Sequence, residues 1–320
     1  MTHDALKLTT YLGERDRAHG AFAADALAAL YARHGLHTSI VLRGAQGFGA
    51  AHGLRTDRLL TLSEDLPVVS IAVDAAERMA PVAAEARALL SKGLVTTERA
   101  QLLEGAAFPA EAKLTLYLGR GDAHRAAVSA LRRHGVAGAT VLLGVDGTAG
   151  GERRRATFFG ANPDVPMMVL SVGDGGALAA AAAELAPSFA TVERVRVLRR
   201  DGAAVGSPDH DGAPGSRQKI TVYSREPGRL VGALRDAGAV GATALRGIWG
   251  YHGDHEPHGD VLWQVRRRAP MVTVAVDAPE NVARWWPAVE RATAHAGLVT
   301  TETLPAAPLA SRCERLRTTG

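Results

Sequence analysis

Lys7-Leu-Thr-Thr-Tyr11, Lys113-Leu-Thr-Leu-Tyr117 and Lys219-Ile-Thr-Val-Tyr223 open three segments that start 106 residues apart. That interval is too long for a solenoid unit and fits a small domain. Apolar and polar positions alternate in each opening, the pattern of a half-buried strand.

The next elements recur in the same order. An amphipathic helix follows each opening, carried by Ala23, Leu27, Leu30 and Tyr31, then by Val128 and Leu131, then by Leu230, Val231 and Leu234. Each helix stops at a glycine (Gly35, Gly135, Gly238) suited to a left-handed helix end. A second strand then runs to Gly44, Gly144 or Gly247, followed by a polar, glycine-rich loop. A third strand starts after Pro67, Pro166 or Pro270 and closes on Asp74, Asp174 or Asp277, each placed to cap a second helix. In the third copy that helix contains Pro287, expected to bend or restart it. A fourth strand ends every unit, and Gly-Leu-Val-Thr-Thr-Glu is identical at 93–98 and 297–302.

The order β-α-β-β-α-β, three times over, predicts an α+β chain of three tandem ferredoxin-like modules. Residues 1–103, 112–199 and 218–304 are the expected modules, with 200–217 as a flexible linker and 305–320 as a disordered tail. Both helices of such a module cover one sheet face. The third strands carry apolar residues on both faces, with Val69, Ile71 and Val73 on one and Val68 and Ala72 on the other. Three sheets in one chain can cover one another, which predicts a closed intramolecular pseudo-trimer rather than three separate beads.

Composition narrows the function classes. The 320 residues are 47% hydrophobic and 22% charged, with a net charge of +4 spread along the chain rather than gathered into a basic stripe. No nucleic-acid role is expected; the run Arg266-Arg267-Arg268 faces Ser63-Glu64-Asp65 at the matching place in copy one, a setting for an ion pair or a phosphate contact. The lone Cys313 permits no internal disulfide, no stretch reaches membrane-spanning length, and the opening residues do not form a secretory signal. A cytoplasmic protein is expected.

Copy one resembles the PII-like "domain of unknown function 190" family through Lys7-Leu-Thr-Thr-Tyr-Leu-Gly-Glu-Arg-Asp-Arg-Ala-His-Gly20, Leu42-Arg-Gly-Ala-Gln-Gly-Phe-Gly49 and Leu62-Ser-Glu-Asp-Leu-Pro-Val-Val69. Copy three keeps Leu245-Arg-Gly-Ile-Trp-Gly250, and copy two is further from the pattern. The resemblance implies a subunit that trimerises like PII signalling proteins and binds small effectors, often adenine nucleotides, in clefts between subunits. It also implies a loop after strand two that engages a protein target, frequently a transporter or enzyme, with a membrane transporter or ion channel as the partner expected here. Most members carry one module per chain. Gly-Glu-Arg-Asp after strand one is absent from copies two and three, so the clefts are not chemically equivalent.

The candidate effector site is the loop 43–58. Gly44, Gly47 and Gly49 let backbone approach a ligand, and Arg43, Arg55 and Arg58 can meet phosphate. Phe48 is placed to stack on a base or to anchor the loop. Glu14 and Arg15 lie at the same end of the sheet, and Arg246 and Gly247 are the copy-three counterparts of Arg43 and Gly44. The alternative is that the glycines only make turns and the charges are solvated. A second candidate is a divalent-metal site of His252, Asp254, His255 and His258 in the loop of copy three, against which stands an ordinary solvated loop. A third reading is a ligand-free scaffold. No nucleophile or acid–base pair recurs across the copies, so no enzyme and no obligatory cofactor is expected.

Overall fold

Each repeat lays down four long strands in one order. In the computed structural model, which describes residues 4–49, 53, 55–56, 65–119, 123–156, 165–209, 213–224, 227–252, 257–259 and 270–305, the third strand of every repeat lies between the second and the first. The first strand in turn lies between the third and the fourth. In repeat one these strands are Asp4–Gly13, Thr38–Arg43, Pro67–Ala75 and Leu94–Leu102, with helices Ala23–Arg33 and Ala76–Leu89. In repeat two they are Glu111–Leu118, Gly138–Leu143, Met167–Asp174 and Ala190–Arg194, with helices Ala123–Arg133 and Gly175–Leu185. Repeat three has Arg217–Ser224, Ala242–Arg246, Met271–Asp277 and Leu298–Leu304, with helices Pro227–Asp236 and Pro279–Ala292. The result is a mixed α/β structure, with six helices among the described residues and large antiparallel sheets.

The repeats join through backbone. Thr191 and Val192 pair with Leu102 and Gln101, which merges repeats one and two into a twelve-stranded sheet. The strand Arg196–Arg200, beyond the fourth strand of repeat two, pairs with the fourth strand of repeat three. The segment 200–217, read from composition as a flexible linker, therefore begins in a strand and includes a second short one, Ala203–Ala204.

A second set of pairings passes between repeats cyclically. Gln46–Phe48, just after the second strand of repeat one, pairs with the second strand of repeat three. Asp146–Ala149 of repeat two pairs with the second strand of repeat one, and Trp249–His252 of repeat three with that of repeat two. Every second strand thus receives an edge partner from a different repeat, which removes three exposed edges.

Five hydrophobic clusters follow from this among the described residues, the smallest joining Val172, Val195 and Val197 to Leu298. Three collect the helices and outer sheet face of each repeat, around Leu27 and Met79, around Val128 and Leu178, and around Val231 and Trp285. The fourth draws on the inner faces of all three: Ile40, Val69 and Ile71, then Leu142, Met168 and Leu170, then Leu245, Val272 and Val274. Burying each such side chain is worth about 1.5–3 kcal/mol, so the shared cluster is a main source of cohesion between repeats.

Three local expectations are corrected. The polar positions of the first strands do not face water: Lys7, Thr9 and their counterparts are buried, because both faces of these strands are covered. Asp174 does cap its helix, accepting from the Ala177 N–H at 3.0 Å, whereas Asp74 and Asp277 meet side chains of their helices, Arg78 at 2.9 Å and Asn281 at 3.0 Å, without capping the backbone. Asp74 and Asp277 also accept from the His37 N–H at 2.8 Å and the Val240 N–H at 3.3 Å, holding the start of the second strand. Pro287 lies inside the helix Pro279–Ala292, which is continuous across it. The three glycines read as helix stops do adopt positive φ.

Candidate functional site

The glycine-rich turn after each second strand is where one repeat crosses another. Gly44, Gly144 and Gly247 donate their N–H groups to the carbonyls of Pro67, Pro166 and Pro270, at 2.7, 2.9 and 2.8 Å. Three residues further on, a glycine presses against the neighbouring repeat. A Cβ on Gly47 would stand 2.7 Å from the Ala242 carbonyl oxygen, and one on Gly147 2.1 Å from that of Ser39. The glycines foreseen as a ligand cradle are thus needed for strand-to-strand approach. Gly49, by contrast, has open space around it.

Phe48 is buried against Leu230, Val231 and the rest of the repeat-three core. Of the two roles foreseen for it, the anchor fits and base stacking does not, since its surroundings are already protein.

The predicted charges do meet at this seam. Arg43 is exposed and holds Glu14 at 3.0 Å, and Arg55 holds Asp65 at 2.9 Å. Asp65 also accepts from the Arg15 N–H at 2.7 Å, and Asp16 from the Gly13 N–H at 2.7 Å. Arg246 ends the repeat-three strand that receives Gln46–Phe48, and the Ala45 N–H donates to the Ala244 carbonyl at 2.8 Å. Arg43, Glu14, Arg15, Arg55 and Arg246 therefore border one junction between repeats one and three. Arg58 lies outside the described residues.

The histidine loop is only partly described. His252 pairs its Nε2 with Asp201 Oδ1 at 2.7 Å, tying the repeat-three loop to the turn after repeat two. The backbone of His258 forms a short strand with Gly259. Asp254 and His255 lie outside the described residues.

A different set of polar residues is far more buried. Lys7 stands in register opposite Glu98, Lys113 opposite Glu193 and Lys219 opposite Glu302, each pair joining the first and fourth strands of one repeat. Every lysine also reaches the glutamate of another repeat. Lys7 binds Glu98 at 2.7 Å and Glu193; Lys113 binds Glu193 at 2.8 Å and Glu302 at 2.7 Å; Lys219 binds Glu98 at 2.8 Å and Glu302 at 3.5 Å. Six alternating charges close into a ring, none more than 9% exposed. Thr9 supports it, donating to Glu98 at 2.8 Å.

The electrostatics follow from that geometry. Burial by itself pushes the Lys7 pKa down, but Glu193 and Glu98 outweigh it and hold the ammonium well above its usual range. Burial also raises Glu98 and Glu193, yet the facing lysines win: Glu98 lies well below the usual carboxylate range and Glu193 is pulled down to about 2. The three carboxylates offer oxygens within 4.8 Å of one another, a spacing that suits a metal ion, but the ammonium groups already neutralise them. In the sequence the lysines stand at the strand openings and Glu98 and Glu302 close the identical Gly-Leu-Val-Thr-Thr-Glu segments, with no local pattern that assigns them a role. Their recurrence at the head and foot of each repeat was the available signal.

Comparison with known families agrees with the repeat. The family model DUF190, described as "Uncharacterized ACR, COG1993", matches residues 5–102, 112–197 and 228–306. The chain belongs to the DUF190 family. DUF190 is known in general as PII-like, and this chain carries its domain three times in tandem. The Lys–Glu ring links the first and fourth strands of three DUF190 domains within one polypeptide. No helix among the described residues is long and apolar enough to cross a membrane.

Proposed function

We propose that this DUF190 chain is a regulatory protein of the PII type, built as an intramolecular pseudo-trimer of ferredoxin-like modules. It binds a small anionic effector, an adenine nucleotide being the leading class, at the junctions between modules, and passes the signal to a protein partner such as a transporter. It acts as a single chain in the cytoplasm and performs no chemistry of its own.

The observation that carries this reading is the cyclic exchange of post-second-strand hairpins. Together with a hydrophobic cluster drawn from all three sheets, it supports closed packing over three independent beads. It also brings Arg43 and Arg55 of one module to the strand that ends in Arg246 of another. Guanidinium groups from two modules suit an anion that bridges a junction. Among the described residues Arg43 is held by an exposed ion pair, worth about 0–1 kcal/mol, which a phosphate displaces cheaply.

Calorimetry of the intact chain with ATP, ADP, AMP and inorganic phosphate tests it. Saturable binding by one nucleotide is expected, weakened about tenfold or more in Arg43→Ala and Arg246→Ala. A flat panel at millimolar ligand would sink the effector reading.

A further inference from the structure

Alternate residues of a strand share one face, so Lys7, Thr9 and Tyr11 stack along one side of their strand. The same holds at 113, 115, 117 and at 219, 221, 223. All nine border a single cavity of about 50 Å³, room for about four water-sized spheres. The lysine layer, joined to its glutamates, lies at one end, and the tyrosine layer at the other. Tyr11 and Tyr223 are half-buried, which gives the cavity a way to solvent.

The polar chemistry of this space is one-sided. An ammonium carries three N–H donors. Lys113 turns all three toward ring carboxylate oxygens, whereas Lys7 and Lys219 each meet two, leaving one apiece. The three ring carboxylates do not border the cavity, although the three lysines do. The Tyr117 hydroxyl borders it, is buried, and has no hydrogen-bond partner among the described residues. Burial drives the Tyr117 pKa upward, so the phenol keeps its proton and remains a donor. The remaining wall is apolar apart from Thr243, and includes Val69, Met168 and Val272. Spare donors faced by threonine hydroxyls but by no carboxylate, in a largely apolar chamber of this size, match a small acceptor that gives up its hydration easily.

We propose that this cavity is a binding site for one small, weakly hydrated monovalent anion of halide or nitrate size, held by the spare lysine N–H groups and the tyrosine hydroxyls. Because Lys7, Tyr117 and Lys219 come from three different repeats, the bound anion ties the repeats together. The site is separate from the Arg43 junction and does not depend on a nucleotide binding there.

The test uses the full chain and sodium bromide. Crystals grown in bromide are expected to give an anomalous peak between the lysine and tyrosine layers. In solution, bromide at ten times its dissociation constant should raise Tm by roughly 3 °C over gluconate at equal ionic strength. Tyr117→Phe, which leaves the Lys–Glu ring whole, should weaken bromide about tenfold. Water density alone in the cavity, or equal melting in the two salts, overturns the proposal. A bromide peak without a saturable Tm rise means binding at crystal concentration only, and overturns it as well.

Discussion

Lys113 holds Glu302, 189 residues further along the chain, with its Nζ 2.7 Å from both carboxylate oxygens. One residue opens the second repeat and the other closes the third, so the pair exists only when two repeats are docked. A buried pair of this kind gains little over apolar packing, but breaking one half leaves a charge stranded.

Lys113→Met should therefore cost about 3–5 kcal/mol in urea unfolding, by leaving Glu193 and Glu302 short of a partner. Adding Glu193→Gln restores charge balance and should recover a substantial part. If the double variant is as unstable as the sum of the single ones, the ring is not an electrostatic unit.

The same ring sets a pH window. Glu193 lies at about 2 in the folded protein against a usual 4.5, so its contribution is present above 4.5 and lost as pH falls from there toward 2. Lys7 and Lys219 lie above their usual 10.5, so theirs is intact below 10.5 and disappears at higher pH, as each folded value is passed. The urea midpoint should be level from about pH 5 to 9 and drop between pH 4.5 and 3. A midpoint unchanged at pH 3 contradicts this.

Gly147→Ala puts a methyl 2.1 Å from the Ser39 carbonyl and should cost about 1–3 kcal/mol by pushing the repeat-two hairpin off repeat one. Gly49→Ala meets nothing within 4 Å and should change stability by less than about 0.5 kcal/mol. Thermal melting of both variants decides the matter, and equal losses would mean that the hairpin contact is unimportant.

Residues 1–103 expressed alone would present Ile40, Leu42, Val69 and Ile71 to water and leave the second-strand edge unpaired. Light scattering should find trimers or larger assemblies rather than a monomer. A well-behaved monomer would contradict the shared core.

The order of strands and helices was legible because each element has a local signature, such as the alternation at Lys7–Tyr11 or the stop at Gly35. The shared apolar face was legible too, since Val69, Ile71 and Val73 lie opposite the helix-facing side. The burial of Lys7 and Thr9 was not. Alternation says that two faces differ, and a lysine on one of them reads as the wet face unless its glutamate, 91 residues away, is known to stand across from it. The close protein neighbours of Gly44 and Gly47 were hidden for a related reason. Glycine marks close backbone approach, and a single sequence does not say whether the approaching group is a phosphate or a neighbouring carbonyl.

The hairpins are lent from repeat to repeat inside one polypeptide, so the assembly has no step that dilution can reverse. A defect in one of them has a further result. Separate subunits would mix intact copies with faulty ones, whereas here every molecule made carries the faulty hairpin once, always at the same junction.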